Sequence, residues 1–144
     1  MNRFAISSTS RIIAGTSEGV YTGAGEYWQS INNTGLRAQY FPAVAIDPTP
    51  PQTIYAGSLD GGVFKTRDGG QSWIAINTGL TSLDILALVI DPTSPQTVYA
   101  GTDAGVFKST DAGGSWVATG LNKGGIEALA IDPTSPQTVY AGSW

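Results

Sequence analysis

A chain of 144 residues that is 41% apolar can bury a real core, which argues against disorder; only 12% charge, with 19 glycines and 8 prolines, favours short strands and tight turns over long helices. The formal charge of −4 has the wrong sign for holding nucleic acid phosphates, and the basic residues are scattered, so no nucleic acid partner is expected. With no Cys and no His, the sequence excludes disulfides, thiolate or imidazole metal sites, and Ser-His or Cys-His nucleophiles.

The first ten residues lack the apolar stretch of a secretory signal, and no run approaches the ~18 apolar residues of a membrane span. Neither a membrane partner nor a cofactor is expected; the sequence leaves the cellular location open.

Taken in chain order, the elements repeat. The first unit, about residues 1–36, reads as short strands at Arg3-Phe4-Ala5-Ile6, Arg11-Ile12-Ile13-Ala14-Gly15, Gly19-Val20-Tyr21 and Tyr27-Trp28-Gln29-Ser30-Ile31. The second, about 37–80, fills the same slots with Ala43-Val44-Ala45-Ile46, Thr53-Ile54-Tyr55-Ala56-Gly57, Gly62-Val63-Phe64-Lys65 and Ser72-Trp73-Ile74-Ala75-Ile76. The third, about 81–121, is the clearest: Ile85 to Asp91, Thr97 to Thr102, Gly105 to Ser109 and Ser115 to Thr119. Residues 122–144 hold only the first two slots, Ile126 to Ile131 and Thr138 to Trp144. Asp47, Asp91 and Asp132 mark the phase, 44 and 41 residues apart, a spacing typical of propeller blades.

Local chemistry supports each slot. Ile85 to Ile90 is almost continuously apolar, which predicts an inner strand buried on both faces. In Asp91-Pro92-Thr93-Ser94-Pro95 the prolines end that strand, because they cannot donate to a ladder, and the Asp carboxylate sets the turn. Thr102-Asp103-Ala104-Gly105 supplies hairpin turn residues between two β-branched and aromatic strands. The predicted fold is therefore an all-β propeller segment of about three and a half four-stranded antiparallel blades, forming a single repeat domain over 1–144.

Two turns, Thr66-Arg67-Asp68-Gly69-Gly70-Gln71-Ser72-Trp73 and Ser109-Thr110-Asp111-Ala112-Gly113-Gly114-Ser115-Trp116, share the pattern Ser/Thr-x-Asp-x-Gly-x-x-Trp. This resembles the Asp-box, or BNR, repeat of sialidase-like β-propellers, and the Ile-Asp-Pro-Thr and Gly-Val-Phe-Lys phrases resemble blades of xyloglucanase-type and photosystem-assembly-type propellers. The resemblance implies that Thr66, Asp68, Gly70, Trp73, Ser109, Asp111, Gly113 and Trp116 are structural and lie away from any active site. In the first unit Gly23 stands at the Asp position and Tyr21 at the Ser/Thr position, so a shorter turn is expected there.

Chemistry is harder to find. A sialidase would need an arginine cluster, a Tyr nucleophile with a carboxylate partner and an acid, and no such constellation stands out. A glycoside hydrolase needs two carboxylates across a sugar bond. Asp47, Asp91 and Asp132 repeat in identical turns, whereas an active site needs singular residues; the singular carboxylates are Asp84, Glu127 and Glu26. Gly113-Gly114 precedes a strand rather than a helix, so no phosphate cradle is expected. The expectation is a non-catalytic module for binding or assembly, the alternatives being a carbohydrate-binding lectin or a fragment of a glycoside hydrolase propeller. Arg37, Gln39, Tyr40 and Phe41 break the repeat and are the candidate ligand contacts; Tyr55, Tyr99 and Tyr140 share one strand position and are expected to be structural.

Three and a half blades do not close a ring, and an open arc leaves uncovered faces. Self-association is therefore expected, most simply as a dimer with seven blades' worth of strands. Six blades with swapped ends, eight with two thin blades, and a fragment of a larger propeller are the competing arrangements.

Overall fold

The computed structural model describes residues 3–6, 11–49 and 53–144; Met1, Asn2, the 7–10 connection and the end of the first Asp-Pro-Thr turn lie outside them. Its strands are β1 (Arg3–Ile6), β2 (Ile12–Thr16), β3 (Gly19–Ala24), β4 (Tyr27–Ser30), β5 (Ala43–Ile46), β6 (Ile54–Ser58), β7 (Gly62–Thr66), β8 (Ile74–Ala75), β9 (Ile85–Ile90), β10 (Val98–Thr102), β11 (Gly105–Ser109), β12 (Val117–Ala118), β13 (Ile126–Ile131) and β14 (Val139–Ser143). They form three antiparallel four-stranded meanders, β1 to β4, β5 to β8 and β9 to β12, and the two-stranded sheet β13–β14. The all-β propeller architecture read from the repeats is the one observed.

The registers repeat as closely as the sequence does. Ala14 lies opposite Tyr21, Ala56 opposite Phe64 and Ala100 opposite Phe107, so each second strand meets its third strand in the same phase. Inner strands pack in chain order, and Ala5, Ile46, Ile90 and Ile131 line one hollow of about 380 Å³ at the axis. β9 is buried at Ile85, Ala87 and Leu88 but only half-buried at Leu86, Val89 and Ile90. The expected burial on both faces is thus partial, because this strand faces the axial hollow. The outer strands β8 and β12 are the shortest, two residues each, and their side chains are exposed.

Cohesion comes from the faces between blades. Ile13, Val20 and Ile31 of the first blade pack with Val44, Ile54, Ala56, Phe64 and Trp73 of the second; Tyr55 and Val63 of the second pack with Ile85, Leu88, Val98, Phe107 and Trp116 of the third. A blade has no hydrophobic interior of its own, so burial of these faces is the dominant stabilising contribution. The repeated Gly15, Gly57 and Gly101 lie under the next blade: a Cβ there would come within 2.3 Å of Phe41 O, 2.3 Å of Ile85 Cγ2 and 2.6 Å of Ile126 O.

Candidate functional site

In a four-stranded meander, one end of the blade carries the first and third turns, and the other end carries the second turn and the crossover to the next blade. The two Ser/Thr-x-Asp turns and the Asp-Pro-Thr turns therefore share one end. At the other end lie the turns holding Glu18, Asp60 and Asp103, and the crossovers holding Arg37 to Phe41 and Asp84.

The Thr66–Trp73 turn is closed by its own polar groups. Thr66 Oγ1 donates to Asp68 Oδ1 at 2.6 Å and accepts from the Gly70 N–H at 3.0 Å. Asp68 accepts from the Ser72 N–H at 2.9 Å and from Ser72 Oγ at 2.5 Å. The Ser109–Trp116 turn repeats this set, with 2.7 Å from Ser109 Oγ to Asp111, 2.8 Å from the Gly113 N–H to Ser109 Oγ, and 2.8 Å from both the Ser115 N–H and Ser115 Oγ to Asp111. Hydrogen bonds to the ionised form lower a carboxyl pKa. Those from Ser72 and Thr66 hold Asp68 far below the ordinary range, and those from Ser109 and Ser115 hold Asp111 at about 2. Both carboxylates are locked in their ionised state as turn fasteners, the opposite of what a general acid requires.

These turns also join blades. Trp73 Nε1 donates to Ile31 O at 2.8 Å and Trp116 Nε1 to Ile76 O at 2.7 Å, each ring only 3% exposed, and the same residues' N–H groups donate to Thr34 O and Thr78 O. Gly35 and Gly79, at φ 96° and 92°, let the crossover approach: a Cβ would come within 1.9 Å of Trp73 O and 2.2 Å of Trp116 O. Lys65 Nζ at 2.7 Å and Tyr55 Oη at 3.2 Å both donate to Ala112 O across the second junction. Burial pushes the Tyr55 phenol up to about 12, with Asp47 adding to the shift, and burial lowers Lys65. Asn32 and Asn77 plug the second turns, accepting from Val20 N–H and Val63 N–H and donating to Glu18 O and Gly61 O. Sequence reasoning missed these two asparagines and the Gly35/Gly79 pair. The repeated Thr-Gly-Leu phrase at 34–36 and 78–80, with Asn32 two residues and Asn77 one residue ahead of it, was the available signal.

Of the candidate ligand contacts, Arg37 and Gln39 are exposed and Tyr40 is half-buried, all on the crossover into β5. Phe41 is different. It is fully buried, packs edge-on against Phe64 at 6.1 Å between ring centres, and donates its N–H to Thr16 O at 2.8 Å. It is a core anchor that holds the loop down, and its ring cannot meet a ligand. Asp84 accepts from the Asp60 N–H at 2.9 Å, tying the crossover to the second turn of the preceding blade, and Ser82 Oγ hydrogen-bonds Asp103. Glu127 lies exposed at a bulge of β13 and Glu26 is exposed in the two-residue β3–β4 turn, which is shorter than its counterparts as expected. Glu26 and Asp84 lie at opposite ends of the blades. No group of three or more acidic residues able to hold a metal forms among the described residues.

Tyr55 and Tyr99 are buried at their shared strand position, whereas Tyr140 is 60% exposed because no further blade covers β14 among the described residues. Between the third blade and β13–β14 lies a groove of about 530 Å³, lined by Tyr99, Lys108, Thr119, Leu121, Leu129 and Val139 among others.

No family model matches the chain, and no curated protein matches it significantly. Among solved structures it is similar to an ancestral GH74 enzyme, with TM-score 0.71 and 22% identity over 96% of this chain and 21% of that one. The GH74 enzyme of Niastella koreensis matches with TM-score 0.68 and 22% identity, over 92% of this chain and 24% of its own. The GH74 xyloglucanase from Xanthomonas campestris aligns more loosely, with TM-score 0.47 and 15% identity over 83% of this chain and 30% of its own. Likeness at this level shows the fold, a run of four-stranded propeller blades. The chain spans less than a quarter of the length of either of the first two.

Proposed function

We propose that this chain is a non-catalytic propeller module that works by binding or assembly through its repeated blades, with a second copy of itself as the first partner. The observation that carries the reading is the 530 Å³ groove: its lining repeats side chains that elsewhere join one blade to the next. In support, the fastened carboxylates Asp68 and Asp111 are spent on turn closure, and we read their two turns as Asp-boxes. A carbohydrate would meet Arg37, Gln39 and Tyr40 on the crossover end, where a planar cation, an amide and a ring stand on one loop. Light scattering and a glycan array test the two halves of the reading. Assembly without saturable sugar binding marks a scaffold, saturable binding marks a lectin, and a monomer that binds no glycan overturns both.

The likeness to GH74 enzymes favours one second reading, a fragment of a glycoside hydrolase propeller. Its acids would be Asp84 and Glu127. Release of reducing ends from xyloglucan that is abolished by Asp84→Asn or Glu127→Gln would establish that reading, and absence of release supports the module.

A further inference from the structure

Resting on the carbohydrate half of that reading, we infer that the first blade carries a further sugar site: a groove on its outer hairpin that takes a neutral pyranose stacked on Tyr27 and hydrogen-bonded to Gln29. The groove measures about 420 Å³, within the range of small-molecule sites, and its lining includes Arg11, Thr22, Ala24, Tyr27 and Gln29. Strand register puts these five on one face of the blade. Thr22 lies opposite Ile13 and Gln29, Ala24 lies opposite Tyr27, and Arg11 stands two residues before Ile13. Ile13, Val20 and Ile31 of that face pack against the second blade, so the groove opens on the side where the second blade stands. Arg11 adjoins the first turn and Tyr27 the third, which places the site at the opposite end from Arg37, Gln39 and Tyr40.

The degenerate turn of the first unit builds this groove. A two-residue turn replaces the longer Ser/Thr-x-Asp turn, so β3 and β4 pair over four residues where β7–β8 and β11–β12 pair over two. The extended ribbon carries Tyr27 out to 85% exposure. Slot by slot, the chemistry changes too. Gln29 stands opposite Thr22, whereas the apolar Ile74 and Val117 stand opposite Lys65 and Lys108. At the second junction Lys65 reaches across to Ala112 O. At the first, Arg11 reaches the equivalent Gly69 O at 3.1 Å and donates from Nε to Thr22 Oγ1 at 2.7 Å. The short Thr22 then leaves open the space that a lysine covers in the next blade.

These are the groups that a sugar ring needs. A glucose- or galactose-type pyranose presents a continuous C–H patch, which packs on an exposed aromatic ring, and adjacent hydroxyls, which pair with a planar amide that both donates and accepts. Tyr27 and Gln29 are two residues apart on one face, about 7 Å along the strand, a span that one ring and its hydroxyls cover. Arg11, tied to Thr22 and to the second blade, is a rigid wall ordered before any ligand arrives. The exposed Glu26 beside Tyr27 and the net charge of −4 disfavour an anionic sugar.

The test is a titration of the isotope-labelled full chain with cellohexaose and with a galactan-derived hexasaccharide, followed by NMR amide shifts. With at least one of them, the Gln29 side-chain amide and the backbone amides of Thr22, Ala24 and Tyr27 should shift saturably. Tyr27→Ala, at a position exposed enough to leave the sheet intact, should raise the Kd read from those peaks roughly ten-fold or more. Gln29→Ile, the residue type that the second blade carries at Ile74, should raise it roughly five-fold. Saturable shifts confined to Arg37 through Tyr40 overturn the groove and leave the carbohydrate reading standing. Groove shifts with an unaltered Kd in Tyr27→Ala overturn the stacking on which the proposal stands. No saturable shift with either sugar overturns the proposal, while the light-scattering mass still decides assembly.

Discussion

Single side chains show how one turn pattern performs two tasks. Asp111 closes its own loop, while the tryptophan five residues on reaches back into the previous blade through Ile76 O. The glycines opposite these tryptophans are under the tightest constraint. Gly79→Ala should cost about 3 kcal/mol or more, since it combines a left-handed φ with a 2.2 Å approach to Trp116 O, whereas Gly25→Ala, at φ 66° with nothing within 4 Å, should cost about 1 kcal/mol. Urea denaturation of the two variants checks the difference. The turn carboxylates make a pH prediction. Asp68, Asp91, Asp111 and Asp132 all have folded-state pKa values below their unfolded ones, so the folded state binds fewer protons. Their contribution is complete above about pH 4, the ordinary carboxylate value, and is lost as pH falls towards 2, where Asp111 titrates. Urea midpoints measured from pH 6 to pH 2 should fall over that window, and Asp111→Asn should flatten part of the slope.

At the scale of the strand, each blade grades from a buried middle to a thin outer margin. β6 is buried at every residue, while β8 is two exposed residues with Ile74 at 60% exposure. Ile74→Thr should therefore change stability by about 0.5 kcal/mol or less, and Ile54→Ala, fully buried between blades, should cost about 2 to 4 kcal/mol. Thermal melts of the pair measure that gradient. Most of this was legible beforehand: strand order, turn positions and the phase of the repeat follow from alternating β-branched residues punctuated by Asp-Pro and Gly. The Arg37 to Phe41 loop shows the limit. Its departure from the repeat is visible in sequence, but the burial of Phe41 depends on the space left beside Gly15 and Phe64, which no local pattern encodes.

For the molecule as a whole, stability accumulates junction by junction, and among the described residues two surfaces stay partly exposed: the first blade's side with Trp28, and the groove beside β14. If copies cover these faces for one another, the folded state is linked to protein concentration. The melting temperature should rise as concentration is raised across the dimerisation range, and a concentration-independent melt would count against assembly.

The sequence by itself determined the blade: its four strands, its fastened turns and its period, because these rest on interactions within some forty residues. Tertiary structure decided the fate of equivalent residues. Tyr55 and Tyr140 occupy the same slot in nearly identical strands, yet one is buried and the other 60% exposed, and Trp73 and Trp28 differ in the same way. The physical reason is that each blade hides its apolar face only against a neighbour, so burial is a property of the junction and not of the repeat.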